Sequence, residues 1–332
     1  MDEMDDLPTA VPAPTPPLFD VTVGEIRQQA VDVTSFELVE KGGESLPAFT
    51  AGAHIDLHLP GGMIRSYSLL NEQSDRHRYV IAVRKETSGR GGSLFMHNRM
   101  SPGSRVTISE PKNHFPLVED APHVLFIAGG IGITPIWSMV QRLEKLGRSW
   151  TLHYCVRTRE HAAFYNELMS LQTDSPRIHF HFDGGRPELG ISMESVIAQA
   201  QNDAHLYCCG PSGMLASFQQ CTANLPASQI HTEYFSGAIS HAELGGFQIE
   251  LARSGKTLTI ERGQSILDAI VLAGIDAPHS CKEGVCGNCE TAIIEGVADH
   301  RDLVLTADER ASGKTMMICC SGCVGDRLVL DL

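Results

Sequence analysis

The sequence lacks an excess of basic residues: it contains 26 Lys and Arg against 40 Asp and Glu, for a formal net charge of -14. A protein that binds nucleic acid needs clustered Lys and Arg to neutralise phosphates, so this balance argues against nucleic acid as a partner. An anionic membrane surface would repel the same charge. We therefore expect neither nucleic acid nor a membrane among the partners, and we expect a monomer.

Long hydrophobic runs are also scarce. The charge-free segment VLFIAGGIGITPIWSMV at 124–140 is barely long enough to span a bilayer. Three glycines and Pro135 interrupt its middle, which favours a strand, a loop and a helix. The N-terminus lacks the basic and apolar regions of a secretion signal, so we expect a cytoplasmic protein. Disulfides are then not expected among its cysteines.

The pattern along the chain predicts a tail and three domains. Residues 1–17 are acidic and rich in Pro and Ala, which is typical of a disordered tail. Strand-like alternation with turns over 18–118 predicts a small antiparallel β-barrel. Alternating strands and helices over 119–235 predict an α/β domain with a parallel sheet. Residues 236–245 resemble a linker to a third domain at 246–332, which opens with a hairpin and a helix.

Two motifs in the first domain suit a planar ligand that carries a phosphate. In the predicted strand RSYS, Arg65 and Tyr67 should share one face, and Ser66 and Ser68 the other. Arg65 offers a guanidinium to a phosphate, and Tyr67 offers a ring for packing. The turn GRGGS at 89–93 precedes a helical segment, so its backbone N–H groups can point at a phosphate.

Two glycine-containing loops in the second domain each follow a predicted strand. AGGIGITP at 128–135 opens a helix, although it is not the Rossmann pattern of glycines. CCGPSGM at 208–214 follows a later strand of the same predicted sheet. Both loops should therefore meet at the carboxyl edge of the sheet, where open α/β sheets bind ligands.

Three cysteines in HSCKEGVCGNCE have the spacing of metal ligands. Cys281, Cys286 and Cys289, with a distant fourth cysteine, fit a plant-type 2Fe-2S site. The alternative is a zinc site made of two Cys-x2-Cys pairs, the second being Cys320 and Cys323. Zinc ribbons usually separate such pairs by about 15 to 20 residues. The gap here is about twice that and would leave Cys281 unused, so the spacing favours the cluster.

These motifs together resemble the phthalate dioxygenase reductase and vanillate demethylase reductase family, over residues 18–332. The resemblance implies a flavin barrel, an NADH-binding α/β domain and an α+β ferredoxin domain of the β-grasp type. It implies that FMN contacts the barrel residues Arg65, Ser66, Tyr67, Ser68, Ala82, Val83, Arg84, Gly91, Gly92 and Ser93, with Thr134 and Phe235 near the flavin ring. The nicotinamide nucleotide would be lined by Gly130, Gly132, Pro135, Cys209, Gly210 and Pro211.

The fourth cluster ligand is predicted to be Cys319, because 29 residues separate it from Cys289, as in plant-type ferredoxins. If MMIC is a strand, its neighbour Cys320 should face away from the cluster, and Cys323 should lie beyond a turn.

The resemblance also implies an activity. The chain is expected to be a reductase that passes electrons from NADH through FMN and a 2Fe-2S cluster to a terminal Rieske-type oxygenase, without a catalytic acid or base. A reductase for a haem monooxygenase or another acceptor is one alternative. A redox-sensing iron-sulfur protein that binds nucleotides without turnover is another.

Overall fold

Three main β-sheets organise the computed structural model, which describes residues 17–172, 176–235 and 245–332. The predicted tail (1–17) and linker (236–245) lie outside these ranges except for residues 17 and 245. In the described part of the chain, no helix has the length and apolar character needed to cross a bilayer. The predicted multidomain fold, with a barrel, a parallel sheet and a ferredoxin-like domain, is confirmed.

The first sheet has six strands in the order β4-β3-β6-β1-β2-β5, and all its pairs are antiparallel. Its end strands approach each other just past β4, where Leu70 N donates to Val80 O at 2.8 Å, so the sheet curls into a barrel. The elements are β1 (Leu18–Ala30), β2 (Val33–Val39), β3 (His54–Leu59), β4 (Met63–Ser68), β5 (Arg78–Arg84), the helix α1 (Gly92–Arg99) and β6 (Arg105–Ser109).

The second sheet is parallel, in the order β11-β10-β7-β8-β9. Its central strand is buried along its whole length, as expected for a strand covered by helices on both faces. The charge-free segment forms this strand, a 3₁₀ turn and a helix. The elements are β7 (Val124–Gly129), α2 (Ile133–Leu146), β8 (Trp150–Val156), α3 (Tyr165–Ser170), β9 (Ile178–Phe182), α4 (Met193–Ile197), β10 (His205–Cys209), α5 (Ser212–Thr222) and β11 (Ile230–Glu233).

The third sheet has the order β13-β12-β18-β14-β16, with β12 and β18 parallel, and β15 pairs separately with β17. The predicted hairpin forms β12 and β13. The elements are β12 (Phe247–Leu251), β13 (Lys256–Ile260), α6 (Ile266–Leu272), β14 (Glu290–Glu295), β15 (Ala298–Asp299), α7 (Ala307–Ser312), β16 (Thr315–Met317), β17 (Gly322–Cys323) and β18 (Arg327–Leu330).

Helix α6 shows how local chemistry starts an element in this domain. The Ser265 hydroxyl caps the helix by accepting from Asp268 N at 3.0 Å. Ile266, Leu267 and Ile270 are buried in the core of this domain, whereas Val271 is 41% exposed.

Candidate functional site

Strand β4 carries the RSYS motif and sends adjacent side chains to different partners. Arg65 Nη2 donates to Arg90 O at 2.8 Å. Its side chain also covers Gly92, where an added Cβ would lie 2.6 Å from Arg65 Cγ. The Ser66 hydroxyl instead donates to Asp56 Oδ1 at 2.5 Å, across the pairing of β3 with β4. This division matches the alternation expected of a strand.

Ser68, at the end of β4, carries a hydroxyl group whose hydrogen bonds are not satisfied within the described part of the chain. Its Oγ is buried and has no hydrogen-bond partner among the described residues. Buried hydroxyls in proteins are almost always paired, so this atom calls for a bound polar group. Burial raises the pKa of nearby Tyr67 to about 12, so its phenol stays protonated. The unpaired hydroxyl of Ser68 fits the polar edge of a flavin.

The turn after β5 forms the other side of this site. Ala82 and Val83 are buried in β5, whereas Arg84 is exposed and pairs with Glu86 at 2.9 Å. The Ser93 hydroxyl donates to Glu86 O at 3.2 Å and accepts from Glu86 N at 3.1 Å. Ser93 therefore closes the turn, and its contact with a phosphate stays a prediction.

Helix α1 begins at the end of this turn and supplies backbone donors. Its N-cap is Gly91, with a left-handed φ of 83°, and no side chain caps the first turn. The N–H groups of an uncapped first turn favour an anion. The arrangement of Arg65, Arg84 and this turn thus suits a phosphate.

The two nucleotide loops touch each other at the carboxyl edge of the second sheet. A Cβ on Gly132 would lie 2.2 Å from Cys209 O, and one on Gly129 would lie 2.6 Å from Pro211 Cδ. Only glycine permits this approach. A Cβ on Gly210 would in turn lie 3.1 Å from Gly129 Cα. The structure therefore brings the predicted loops together, and Gly130 begins the 3₁₀ turn of the first loop.

Helix α2 joins these loops to the barrel. The Ser138 hydroxyl donates to Asn71 O at 3.2 Å, and Gln141 Nε2 donates to Leu70 O at 2.6 Å. Thr134 and Pro135 are buried in the first turn, and Thr134 Oγ1 donates to Ile131 O at 3.0 Å. The nucleotide loops consequently sit next to the end of the RSYS strand, where the flavin residues are predicted.

The remaining predicted nucleotide residues differ in exposure. Cys209 is fully buried, and burial raises the pKa of its thiol well above the ordinary value, which suits a packed wall better than a nucleophile. Phe235, just past β11, is 41% exposed. Beyond the end of β8, the Arg159 guanidinium stacks on the ring of Tyr165 at 4.4 Å from its centroid.

Glu233, the last residue of β11, is a half-buried acid that the sequence reasoning missed. It pairs in register with Cys209, and its Oε2 lies 4.0 Å from that thiol's Sγ. Burial raises the pKa of Glu233 to about 8. A carboxyl that holds its proton at neutral pH, beside a predicted nicotinamide site, is a typical functional-site signal. One sign of it was visible in the sequence: Glu233 ends a strand at the edge of the sheet that carries the nucleotide loops.

Glu233→Gln is expected to gain thermal stability over the wild-type protein as the pH rises. The unfolded carboxyl ionises near pH 4.5, but the folded one near pH 8. The folded state thus binds more protons between these values, and wild-type stability falls as the pH climbs through them. The gap in melting temperature should be small at pH 5 and reach several degrees at pH 8, since each pKa unit corresponds to about 1.4 kcal/mol. Thermal unfolding without nucleotide measures it, and a gap that is constant with pH would contradict the assignment.

The cluster loop brings the predicted cysteines together. Glu283 N donates to Cys281 Sγ at 3.3 Å, and Cys281 N donates to Cys286 Sγ at 3.5 Å. Hydrogen bonds from Cys286 and from loop backbone N–H groups hold the pKa of Cys281 below its usual value. Cysteine thiolates ligate iron-sulfur clusters, and backbone N–H groups commonly hydrogen-bond to the ligand sulfurs.

Cys319 completes this group from the other side. The thiols of Cys289 and Cys320 and the backbone of Gly284 hydrogen-bond to it and hold its pKa well below the usual value. Cys281, Cys286, Cys289 and Cys319 are all buried. The donor set therefore fits a four-thiolate cluster.

The sequence argument against Cys320 as a ligand assumed that Cys319 and Cys320 are neighbours on a strand, and this assumption is wrong. Strand β16 ends at Met317, and Cys320 N donates back to Met317 O at 3.2 Å, so both cysteines lie in a turn. Cys320 Sγ packs against the loop, only 2.6 Å from where Gly284 would place a Cβ. Cys323 lies elsewhere, in β17, and its Sγ donates to Arg327 O at 3.4 Å.

Comparisons with known proteins cover most of the chain. Residues 126–220 match the oxidoreductase NAD-binding domain, and residues 249–323 match the 2Fe-2S iron-sulfur cluster binding domain. The second match is to a cluster domain and overturns the zinc alternative. The phenoxybenzoate dioxygenase subunit beta of Ectopseudomonas oleovorans is 51% identical over 91% of this chain and 94% of its own.

Two further relatives are phthalate dioxygenase reductases. The protein from Burkholderia cepacia is 40% identical over 91% of this chain and 94% of its own. A solved phthalate dioxygenase reductase, described as a modular structure for electron transfer from pyridine nucleotides to [2Fe-2S], superposes with a TM-score of 0.72 at 38% identity, covering 95% of this chain and 98% of that one.

Proposed function

The chain belongs to the phthalate dioxygenase reductase family, and on this premise we propose that it is the reductase component of a Rieske-type oxygenase system. It is an NADH-dependent flavin iron-sulfur oxidoreductase with FMN and a 2Fe-2S cluster as cofactors. The terminal oxygenase is a separate protein that receives the electrons. We also propose that the reductase is a cytoplasmic monomer, with domains at 18–118, 119–235 and 246–332.

One observation carries this function: all three predicted sites meet at strand β4. The nucleotide loops reach it through α2 and Leu70, just past its end. The cluster loop reaches it through Ser280, whose hydroxyl lies 3.2 Å from that of Ser66. A single strand that touches both neighbours is a short route for electrons between them.

When bound, a flavin accepts two electrons as a hydride and releases them singly, as a one-electron iron-sulfur cluster requires. The chain supplies binding and orientation. Arg65, Arg84 and the first turn of α1 would hold the phosphate of FMN, and Ser68 would hydrogen-bond to its ring. Gly129, Gly132 and the loop after β10 would admit the nicotinamide nucleotide beside that ring.

Purified wild-type protein is expected to release FMN on acid treatment and to lose flavin absorbance rapidly on mixing with NADH. An artificial acceptor should then be reduced steadily, with a higher specificity constant for NADH than for NADPH. Chromatography of the released cofactor and steady-state rates with each nucleotide measure this. Co-migration of the cofactor with FAD, or bleaching of the flavin without turnover, would contradict the proposal, and the latter result would favour the redox sensor.

A further inference from the structure

Residues of the barrel domain contact the cluster loop directly, through several polar interactions. Arg90 Nη1 donates to Cys281 O at 2.6 Å, and Arg90 Nη2 pairs with Glu283 at 2.9 Å. At the other end of the loop, Lys112 Nζ donates to Asn288 Oδ1, and the ring of His114 lies against Gly287. The loop that carries the predicted cluster ligands is therefore in direct contact with the flavin barrel.

The centre of this contact is Asp56 on β3, a carboxylate that is only 2% exposed. Its Oδ1 accepts from Ser66 at 2.5 Å and from Ser280 at 3.1 Å. Its Oδ2 accepts from Asn288 Nδ2 at 2.5 Å and lies 3.4 Å from Lys112 Nζ. Burial alone would raise the pKa of Asp56, but the hydrogen bond from Ser66 and the charge of Lys112 hold it below the ordinary value. The Asp56 carboxylate is therefore ionised, and both of its oxygens accept hydrogen bonds.

From this geometry we infer that Asp56, with Arg90, is a latch that fixes the cluster loop on the flavin strand and so sets the rate of electron transfer between the two cofactors. Asp56 holds one residue of β4, Ser66, and the loop residues next to two predicted cluster ligands, Ser280 and Asn288. The inference rests on the proposed function. Asp56 is a positioning residue, because none of its contacts is with a predicted ligand sulfur.

The energetics favour a rigid latch over a loose contact. Hydrogen bonds to a charged acceptor are about twice as strong as neutral ones. Removing a buried charge leaves its hydrogen-bond donors unpaired, which destabilises the contact. In Asp56→Asn, one carboxylate oxygen becomes an NH₂ group, which would face the donors of Ser66, Ser280, Asn288 or Lys112. The loop would then leave its position on β4.

Asp56→Asn is expected to slow reduction of the cluster about 10- to 100-fold, since a displacement of about 1 Å in a working site has that order of effect. Bleaching of the flavin by NADH should be unchanged. Stopped-flow absorbance follows the flavin, and freeze-quenched electron paramagnetic resonance follows the cluster. Independently of activity, hydrogen–deuterium exchange of residues 279–290 should rise in the holoprotein. Arg90→Gln should act the same way and carries the test if Asp56→Asn does not fold.

The matched control is Asp20→Asn, which removes an exposed carboxylate from the same barrel whose partner is Thr107, also in the barrel. It should match the wild-type protein in every measurement. Equal cluster reduction and equal exchange in Asp56→Asn, Arg90→Gln and the wild type would overturn the latch. So would parallel loss of flavin and cluster reduction, which would mark a merely structural role. A wild-type protein that never reduces its cluster would refute the proposed function instead, and the exchange data alone would then decide the latch.

Discussion

Replacing Cys319 with serine is expected to abolish the cluster and, with it, delivery of electrons to any acceptor that draws on the cluster. Cys319 lies between Cys289 and the backbone of Gly284 and is buried among the other predicted ligands. A serine hydroxyl is a far poorer ligand for iron than a thiolate. Outer-shell changes alone cost metal sites about 10- to 100-fold, so loss of a ligand should exceed about 100-fold in turnover. Visible absorbance, electron paramagnetic resonance and reduction of cytochrome c measure it.

Flavin reduction by NADH should survive in Cys319→Ser, because the flavin and nucleotide residues lie in other domains. Cys323→Ser is the matched control, since that thiol donates to Arg327 O in β17, and it should keep the full cluster signal. Cys320→Ser should also keep the cluster, but with a shifted signal, because its sulfur packs against Gly284. Loss of the cluster in Cys320→Ser with retention in Cys319→Ser would reverse the assignment.

The pair Cys319 and Cys320 shows that spacing and strand alternation are different kinds of argument about the site. Spacing along the chain predicted Cys319, because a ligand loop imposes a fixed interval on its cysteines. Alternation along a strand was the wrong reason for setting Cys320 aside, since the chain turns after Met317. Element ends are decided by backbone hydrogen bonds that residue types only weakly indicate.

Local patterns predicted the sheets and the glycine loops well, for a physical reason. Burial on one face imposes alternation on each barrel strand, and close approach of two loops demands glycine at Gly129 and Gly132. Both requirements act on residue types directly, so they are visible in a sequence. The order of strands and helices along the chain predicted the antiparallel class of the first sheet and the parallel class of the second.

The latch was not predictable in this way. Asp56 and Ser280 are 224 positions apart, and Asp56 and Asn288 are 232 apart. Each is an ordinary polar residue in its own segment, and Asp56 sits at a strand position that reads as solvent-facing. Its contacts with Ser280 and Asn288 come from another domain and exist only where the two domains dock. Contacts between domains leave no periodic or local trace, so the structure was needed to find them.

Gly132→Ala is expected to block productive use of NADH while sparing both cofactor sites. Gly132 has φ −62°, which alanine adopts freely, so the effect is purely steric. An added Cβ would lie 2.2 Å from Cys209 O and 2.5 Å from its carbonyl carbon, where neither backbone can yield easily. The two nucleotide loops must separate, and flavin reduction by NADH should fall about 100-fold through misplacement of the nicotinamide.

Gly213→Ala is the control for Gly132→Ala. It tests whether any added methyl group near the nucleotide loops slows flavin reduction by NADH. Gly213 lies in the first turn of α5, within the CCGPSGM segment, and a Cβ there meets no atom within 4 Å. Alanine should stabilise the helix by about 0.4 to 1 kcal/mol and leave NADH kinetics unchanged. In both variants, chemical reduction with dithionite should give normal flavin and cluster spectra, because neither residue contacts the barrel strand or the cysteine loop. Wild-type rates with NADH in Gly132→Ala would show that the close approach of the loops is not what positions the nicotinamide. Equal losses in both variants would place the sensitivity in α5 and not in the contact between Gly132 and Cys209.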